Sequence, residues 1–365
     1  MSNTLIPNIA THPGEVLKDE LNARDIKQKD FAAQISMQPT MLNEIINGKR
    51  PITADIAILF EKALDIPANF WMNFQVQYEL DNARIKERNI QKLQLIEQWQ
   101  LIQQYVPLKY FSKFGYLTNN VSEDIVKVKQ IYQVNRIDEL VDSFASFKSL
   151  TPSYYRKSDK LQIDEVNMFG WSSLVMWRAK TEKGKAFDPN KLVELKNGLH
   201  SIFFRNLNSR ELTKELLSEF GIKLIFQGKF EKTPVDGFSF WSEENPAIGL
   251  TLRHSRIDNF AFTIFHELGH IYHHLQKDKS SQFMDLEKTD NSLKSKIEKE
   301  ADSFAQTNLI DEEQWNELIS MVPLNENTLI AFSKKHKINP AIVLGRVCFE
   351  MKNYAIKTSI DKSLN

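Results

Sequence analysis

Residues 257–275 read IDNFAFTIFHELGHIYHHL, and the spacing of their side chains decides what the C-terminal half of this chain becomes. Plotted at 100° per residue, Ala261, Ile264, Phe265, Leu268, Tyr272 and Leu275 share one face of a single helix from Ile257 to Leu275. His266 and His270 fall on the opposite face, one turn apart, with Glu267 between them. Two imidazoles four residues apart project side by side, so both reach a metal at ~2.0 to 2.1 Å. The intervening carboxylate is then placed to take a proton from water that the metal has made acidic. His-Glu-Leu-Gly-His is thus an instance of the H-E-x-x-H pattern of zinc peptidases, and in this composition chance supplies such a match about 0.01 times.

Zinc wants a third protein ligand, and a second helix offers one. In residues 297–309, IEKEADSFAQTNL, the apolar stripe is Ile297, Ala301, Phe304 and Ala305, while Glu298 and Asp302 are i, i+4 neighbours. Glu298 is the expected ligand. Asp302 is then placed to accept a hydrogen bond from a ligating imidazole and fix its tautomer. Glu300, on a different face of the same helix, is the rival ligand. Five of the eight histidines lie between 254 and 274. His254, His273 and His274 therefore read either as outer groups and substrate contacts or as exposed or capping residues, and Tyr272 reads as core.

Outward from this motif the pattern is mixed. Helices are expected around Trp171 to Ala179 and Asn190 to Phe204, followed by the short strands IKLIFQ, GFSFW and AIGLTLR. Residues 85–167 form a helical connector in which Leu95, Trp99, Ile102 and Val106 recur at helical spacing, a core stripe or a partner surface. LTPSYYRKSDK is its best boundary. Nothing in the connector carries chemistry.

The first 84 residues divide into short helices at about Pro13 to Arg24, Gln28 to Ile35, Gln38 to Ile46, Ala54 to Leu64 and Ala68 to Arg84. The second and third, joined by Ser36 and Met37 alone, have helix-turn-helix lengths, with Phe31, Ala32, Ile35, Leu42, Ile45 and Ile46 between them. That leaves Gln38, Thr40 and Asn43 outside for base edges, and Gln28, Lys29, Lys49 and Arg50 for phosphates. Eight basic against eleven acidic side chains give this domain a net charge of −3. A helical domain that binds protein instead of DNA is the alternative reading.

Composition bounds the rest. With 365 residues, 42% of them hydrophobic, the chain is too long for one ordinary core and too apolar to be disordered. Lysine plus arginine equals aspartate plus glutamate at 47 each, so any attraction to nucleic acid must be local. The single cysteine, Cys348, permits neither an internal disulfide nor a cysteine metal cage, and fits a reducing compartment. No leader pattern begins the sequence and no apolar run reaches the ~20 residues that span a bilayer. A cytoplasmic protein without a membrane partner is expected.

Two resemblances follow from these motifs. Residues 12–84, by the HPGEVL start, the NGKRPIT turn and the FWMNFQ segment, resemble the DNA-binding domain of the HigA family of addiction-module antitoxins. This implies a homodimer on palindromic operator DNA and a toxin partner. Residues 168–350, by GFSFWSEENPAIGLTLRHSRIDNFAFTIFHELGHIYHH, EKEADSFA and INPAIVLGRVCFEM, resemble the ImmA/IrrE family of metallo-endopeptidases. This implies a gluzincin-like fold with His266, His270 and Glu298 holding Zn2+, Glu267 as base, and a repressor or antitoxin as substrate. Arg346, in the LGRV segment, reads as a substrate-orienting group or a structural ion pair.

The expected architecture is therefore multidomain and mainly α with an α+β part: an all-α helix-turn-helix domain over 1–84, a helical connector over 85–167 and an α+β metallopeptidase domain over 168–365. The expected function is a DNA-binding regulator with a fused zinc endopeptidase acting on a partner protein. Three alternatives stand beside it. One is a non-proteolytic antitoxin or repressor whose metal domain only senses a signal, another a protease whose helix-turn-helix recognises protein, and the third an antitoxin whose middle region occupies a toxin.

Overall fold

The computed structural model describes residues 9–150, 163–252, 255–286, 296–321 and 323–365. It separates into two compact units, Met1–Trp99 and Gln100–Asn365.

The first unit is helical, with α1 (Pro13–Ala23), α2 (Gln28–Gln34), α3 (Pro39–Ile46), α4 (Ala54–Leu64), α5 (Ala68–Ile85) and the beginning of α6 (Glu87–Tyr105). Its punctuation is local. The His12 ring accepts the Gly14 N–H at 2.9 Å while Glu15 reaches back to the His12 N–H, a capping box with histidine in the usual serine position. Gly48 closes α3 at φ +69°, and Thr53 caps α4. The six apolar residues expected between α2 and α3 are all buried, together with Leu17, Phe60 and Trp71.

Gly14 has a second reason. A Cβ there would lie 1.9 Å from the Ile45 carbonyl oxygen, so α1 meets the end of α3 backbone to backbone. Gly14→Ala is expected to destabilise this unit by ~1 to 3 kcal/mol, the usual cost of overpacking. Urea denaturation of the full chain should show the N-terminal transition moved and the C-terminal one unchanged.

The second unit begins inside the stretch read as connector. The end of α6, α7 (Leu108–Lys113), α8 (Val121–Tyr132) and α9 (Glu139–Leu150) pack with α10 (Glu165–Thr181). Tyr110 stacks on Phe230 with ring centroids 4.4 Å apart and accepts the Glu231 N–H at 2.7 Å. Tyr132 and Phe144 close on Phe169. These aromatic contacts tie residues 100–150 to the C-terminal core, so the division at Trp99 differs from the sequence boundaries at 84 and 167. The boundary segment LTPSYYRKSDK falls almost wholly on 151–162, outside the described residues.

After α11 (Leu192–Arg205) and α12 (Ser209–Glu219) come β1 (Lys223–Phe226), β2 (Val235–Ser242), β3 (Asn245–Leu250) and β4 (Gln282–Leu286), in the order β1-β3-β2-β4. β1 runs parallel to β3, and β2 is antiparallel to both β3 and β4. The first three strands answer to IKLIFQ, GFSFW and AIGLTLR. β4 had no counterpart in the sequence reading, because five residues at a sheet edge carry too short an alternation to stand out.

The sheet packs on α13 (Ile257–His270), which continues as one wider π-helical turn, Ile271–Leu275, rather than as the unbroken α-helix expected. α14 (Lys296–Leu309) lies against α13 at Gly269, where a Cβ would come 3.0 Å from Ala301 Cα. Ile297 is a correction to the expected α14 core stripe: it is 40% exposed, a full turn before Ala301 and so ahead of this close approach. α15 (Glu312–Ser320), α16 (Glu326–His336) and α17 (Pro340–Glu350) complete the unit. The fold is helical with one small mixed sheet in its C-terminal part. Among the described residues no helix is long and apolar enough to cross a membrane.

Candidate metal centre

α13 delivers two imidazoles to one point because they sit i, i+4 on a straight helix whose other face is fully packed. His266 Nε2 and His270 Nε2 are 3.1 Å apart, and both rings are buried. Glu298 meets them from the first turn of α14, with Oε2 3.6 Å from His266 Nε2 and Oε1 3.7 Å from His270 Nε2. The three donor atoms lie within 4.8 Å of one another. Ligand atoms around a tetrahedral zinc with bonds of ~2.0 to 2.1 Å are about 3.3 Å apart. The separations here match that spacing, so the donor set fits a divalent cation.

The outer atoms of the imidazoles are also engaged. Asp302 Oδ1 is 3.0 Å from His266 Nδ1. His274 Nδ1 is 3.3 Å from His270 Nδ1, and its Nε2 is 3.0 Å from Glu300 Oε2. The rival acid Glu300 is therefore brought to His274 and not to the ligand cluster. Phe283 of β4 stacks on the His270 ring at 4.7 Å. His273 is exposed and packs its edge on Phe304. Tyr272 is half-buried against Phe187 and Phe304, and His254 lies outside the described residues.

Glu267 is fully buried, and β2 makes the space for it. Ser239 donates its hydroxyl to Glu267 Oε2, whereas Oε1 is buried without a hydrogen-bond partner. A Cβ at Gly237 would fall 1.9 Å from that same Oε1. Strand alternation turns residues 237 and 239 to one face, so a glycine and a serine two apart form the floor under the carboxylate. The sequence reading recognised GFSFW as a strand but missed this role. The available signal was the pair of small residues at alternate positions among aromatics.

Burial pushes the Glu267 carboxyl up to about 8, more than His266 and the Ser239 hydroxyl pull it down. Burial also disfavours charge on His266, yet Asp302 and Glu298 at its two nitrogens, with Asp285 and Glu267 farther off, outweigh it and raise the imidazole to about 10. Asp285, Glu298 and Asp302, the other acids that act on His266, supply an excess of negative charge that a divalent cation balances.

In the first unit, Gln28, Lys29, Gln38, Thr40, Asn43, Lys49 and Arg50 are all exposed. Gln38 is the N-cap residue of α3. Asn43 accepts from Asn47 at 2.9 Å, and Arg50 is drawn to Glu44 at 2.8 Å.

Comparison with known proteins places two family models on the chain. That of the IrrE N-terminal-like domain matches residues 217–320, and that of a helix-turn-helix domain matches residues 17–71. Virulence-associated protein I of Dichelobacter nodosus is 33% identical over 82 residues, 22% of this chain and 76% of its own length. An addiction module antidote protein of the HigA family from Coxiella burnetii is 32% identical, covering 23% of this chain and 94% of that one with a TM-score of 0.22. The Pseudomonas aeruginosa antitoxin HigA, solved with the higBA promoter, is 38% identical over 20% of this chain and 83% of its own, with a TM-score of 0.20.

Proposed function

This chain belongs to the helix-turn-helix family through residues 17–71 and carries an IrrE N-terminal-like domain over residues 217–320, and from that premise we propose a DNA-binding regulator whose C-terminal domain is a zinc-dependent endopeptidase acting on a partner protein such as a repressor or an antitoxin. The observation that carries this reading is the convergence of His266, His270 and Glu298 beside a buried carboxylate with one unpartnered oxygen.

The ligands are His266 Nε2, His270 Nε2 and Glu298. The chemistry supplied at such a centre by zinc is Lewis acidity, which polarises a peptide carbonyl and eases the deprotonation of water near neutral pH. Glu267 accepts that proton at Oε1 and returns it to the leaving amine, while Ser239 anchors Oε2 so that the carboxylate cannot swing. Asp302, with Oδ1 3.0 Å from His266 Nδ1, favours the proton on Nδ1 and so leaves Nε2 as the lone-pair donor. His274, held by Glu300, does the same for His270.

The reading is tested by comparing protein termini in cells expressing the wild type or Glu267→Gln. A new terminus that appears only with the wild type supports it. Identical termini favour the non-proteolytic regulator. Gly237→Ala offers a structural check: displacing Glu267 without touching a ligand, it is expected to leave metal content unchanged and to lower turnover.

For the first unit, Gln38, Thr40 and Asn43 are the proposed base-reading residues and Gln28, Lys29, Lys49 and Arg50 the phosphate contacts, on a homodimer bound to operator DNA. Their exposure on and around α2 and α3 supports the assignment. Asn43→Ala is expected to change sequence preference, with a good base contact worth ~1 to 3 kcal/mol. Lys49→Ala should weaken binding to all sequences and reduce the salt slope by ~1. Binding measured across a salt series decides; affinity that ignores salt would return this domain to protein recognition.

A further inference from the structure

After α17, residues 353–365 take no regular secondary structure apart from one antiparallel bridge of Ser363 with Arg256. They are nevertheless held at three places. Glu326, which opens α16, accepts from the Thr358 hydroxyl at 2.9 Å, from the Ser359 N–H at 3.0 Å and from the Ser359 hydroxyl. Farther on, the chain lies extended along residues 255–257: the Ile257 N–H donates to the Lys362 carbonyl at 2.9 Å and the Leu364 N–H to the Ser255 carbonyl at 3.1 Å. In the turn between α11 and α12, the Asn206 amide donates to the Ser363 carbonyl at 2.8 Å and accepts from the Asn365 N–H at 3.2 Å. The Ser209 N–H donates to the Asn365 carbonyl at 2.7 Å. Within 353–365 only Ile360 and Leu364 are buried. Main-chain pairing along an extended segment, with an apolar side chain seated between the pairings, is how a groove recognises a peptide.

The groove lies at the head of the helix that carries His266 and His270. The first N–H groups of a helix have no partner within it, and the N-cap residue of α13 is Arg256, whose side chain has no acceptor to offer. Asp258 serves the Asn259 N–H. Ile257 is wholly buried, so the acceptor for its N–H comes from Lys362 and not from water. We propose that residues 353–365 are a displaceable strap, seated in a peptide-docking groove formed by Asn206, Ser209 and residues 255–257, and that its departure uncaps α13. Two buried side chains hold the strap, whereas α13 is buried along most of its length. A segment with so few buried contacts opens at a fraction of the free energy of global unfolding. The inference concerns the seating of α13 and stands apart from what the metal centre catalyses.

Amide hydrogen exchange of the full chain, followed by mass spectrometry, tests the strap. Glu326→Ala removes three bonds to a charged acceptor that touches neither the groove nor α13. It is expected to raise exchange over residues 353–365 by about tenfold or more, and exchange at the start of α13, over residues 255–260, should rise with it while β1 to β3 stay as in the wild type. Leu364→Ala removes the anchor and should have the same paired effect. A fluorescent synthetic peptide of residues 353–365 should then bind the Leu364→Ala chain and slow exchange over 255–260 again, whereas the same peptide carrying Leu364→Asp should do neither. The wild-type chain, whose groove is filled, should bind the peptide at least tenfold more weakly than Leu364→Ala does. Exchange that rises over 353–365 and not over 255–260 would overturn the capping role. No rise in either variant would make the segment a fixed part of the core, and failure of the peptide to bind Leu364→Ala would remove the docking groove; each of these results overturns the proposal.

Discussion

Glu267→Gln is expected to retain about one zinc per chain, the stoichiometry of a single three-ligand site, and to cleave the partner protein ~10² to 10⁴ times more slowly than the wild type. The two halves of this outcome rest on different atoms. Metal retention follows because His266 Nε2, His270 Nε2 and Glu298 form the donor cluster and Glu267 is not part of it. The loss of rate follows because an amide nitrogen or carbonyl in the place of Oε1 cannot accept and return a proton as a carboxylate does. Glutamine has the same volume and can still meet the Ser239 hydroxyl, so the fold around β2 should be undisturbed. Metal analysis beside a cleavage assay separates the possibilities. If Glu267→Gln loses zinc as fully as His266→Ala does, Glu267 is a ligand and the assignment of roles fails.

Glu298→Ala is expected to release the metal on dialysis, whereas Glu300→Ala keeps it. The two acids are two residues apart on α14 and were both candidates from sequence, but they point to different histidines. Glu298 faces the paired Nε2 atoms, and its loss leaves two ligands where zinc wants at least three from protein. Glu300 meets His274, one imidazole removed from the cluster, and Lys296 on its own helix. Its removal should cost metal affinity by the ~10- to 100-fold typical of outer partners, not abolish binding. Asp302→Ala, which frees His266 Nδ1, should fall in the same range. Metal retained by Glu298→Ala and lost by Glu300→Ala would transfer the ligand role.

What was legible in this chain, and what was not, divides by distance along the sequence. The first five helices end within a residue or so of their expected bounds, because caps and stops such as Thr53 and Gly48 act through contacts no more than four residues away. The same locality made His266, Glu267 and His270 readable as a group. Local periodicity also misjudged two details: Ile297 follows the α14 stripe but sits ahead of the point where the helices meet, and the last turn of α13 widens where an unbroken helix was expected.

The sequence by itself determined which side chains would project together from one helix and what chemistry they suit. Only the tertiary structure decided which partners they meet. Ser239 and Gly237 reach Glu267 from 28 and 30 residues away, β4 brings Phe283 onto His270, and the choice between Glu298 and Glu300 depends on how α14 rotates against α13 at Gly269. Residues 100–150 join the C-terminal core through Tyr110 and Phe230, 120 positions apart. A helical or strand period specifies a face and not its neighbour, so pairings of this kind are set by how whole faces fill space when the core closes.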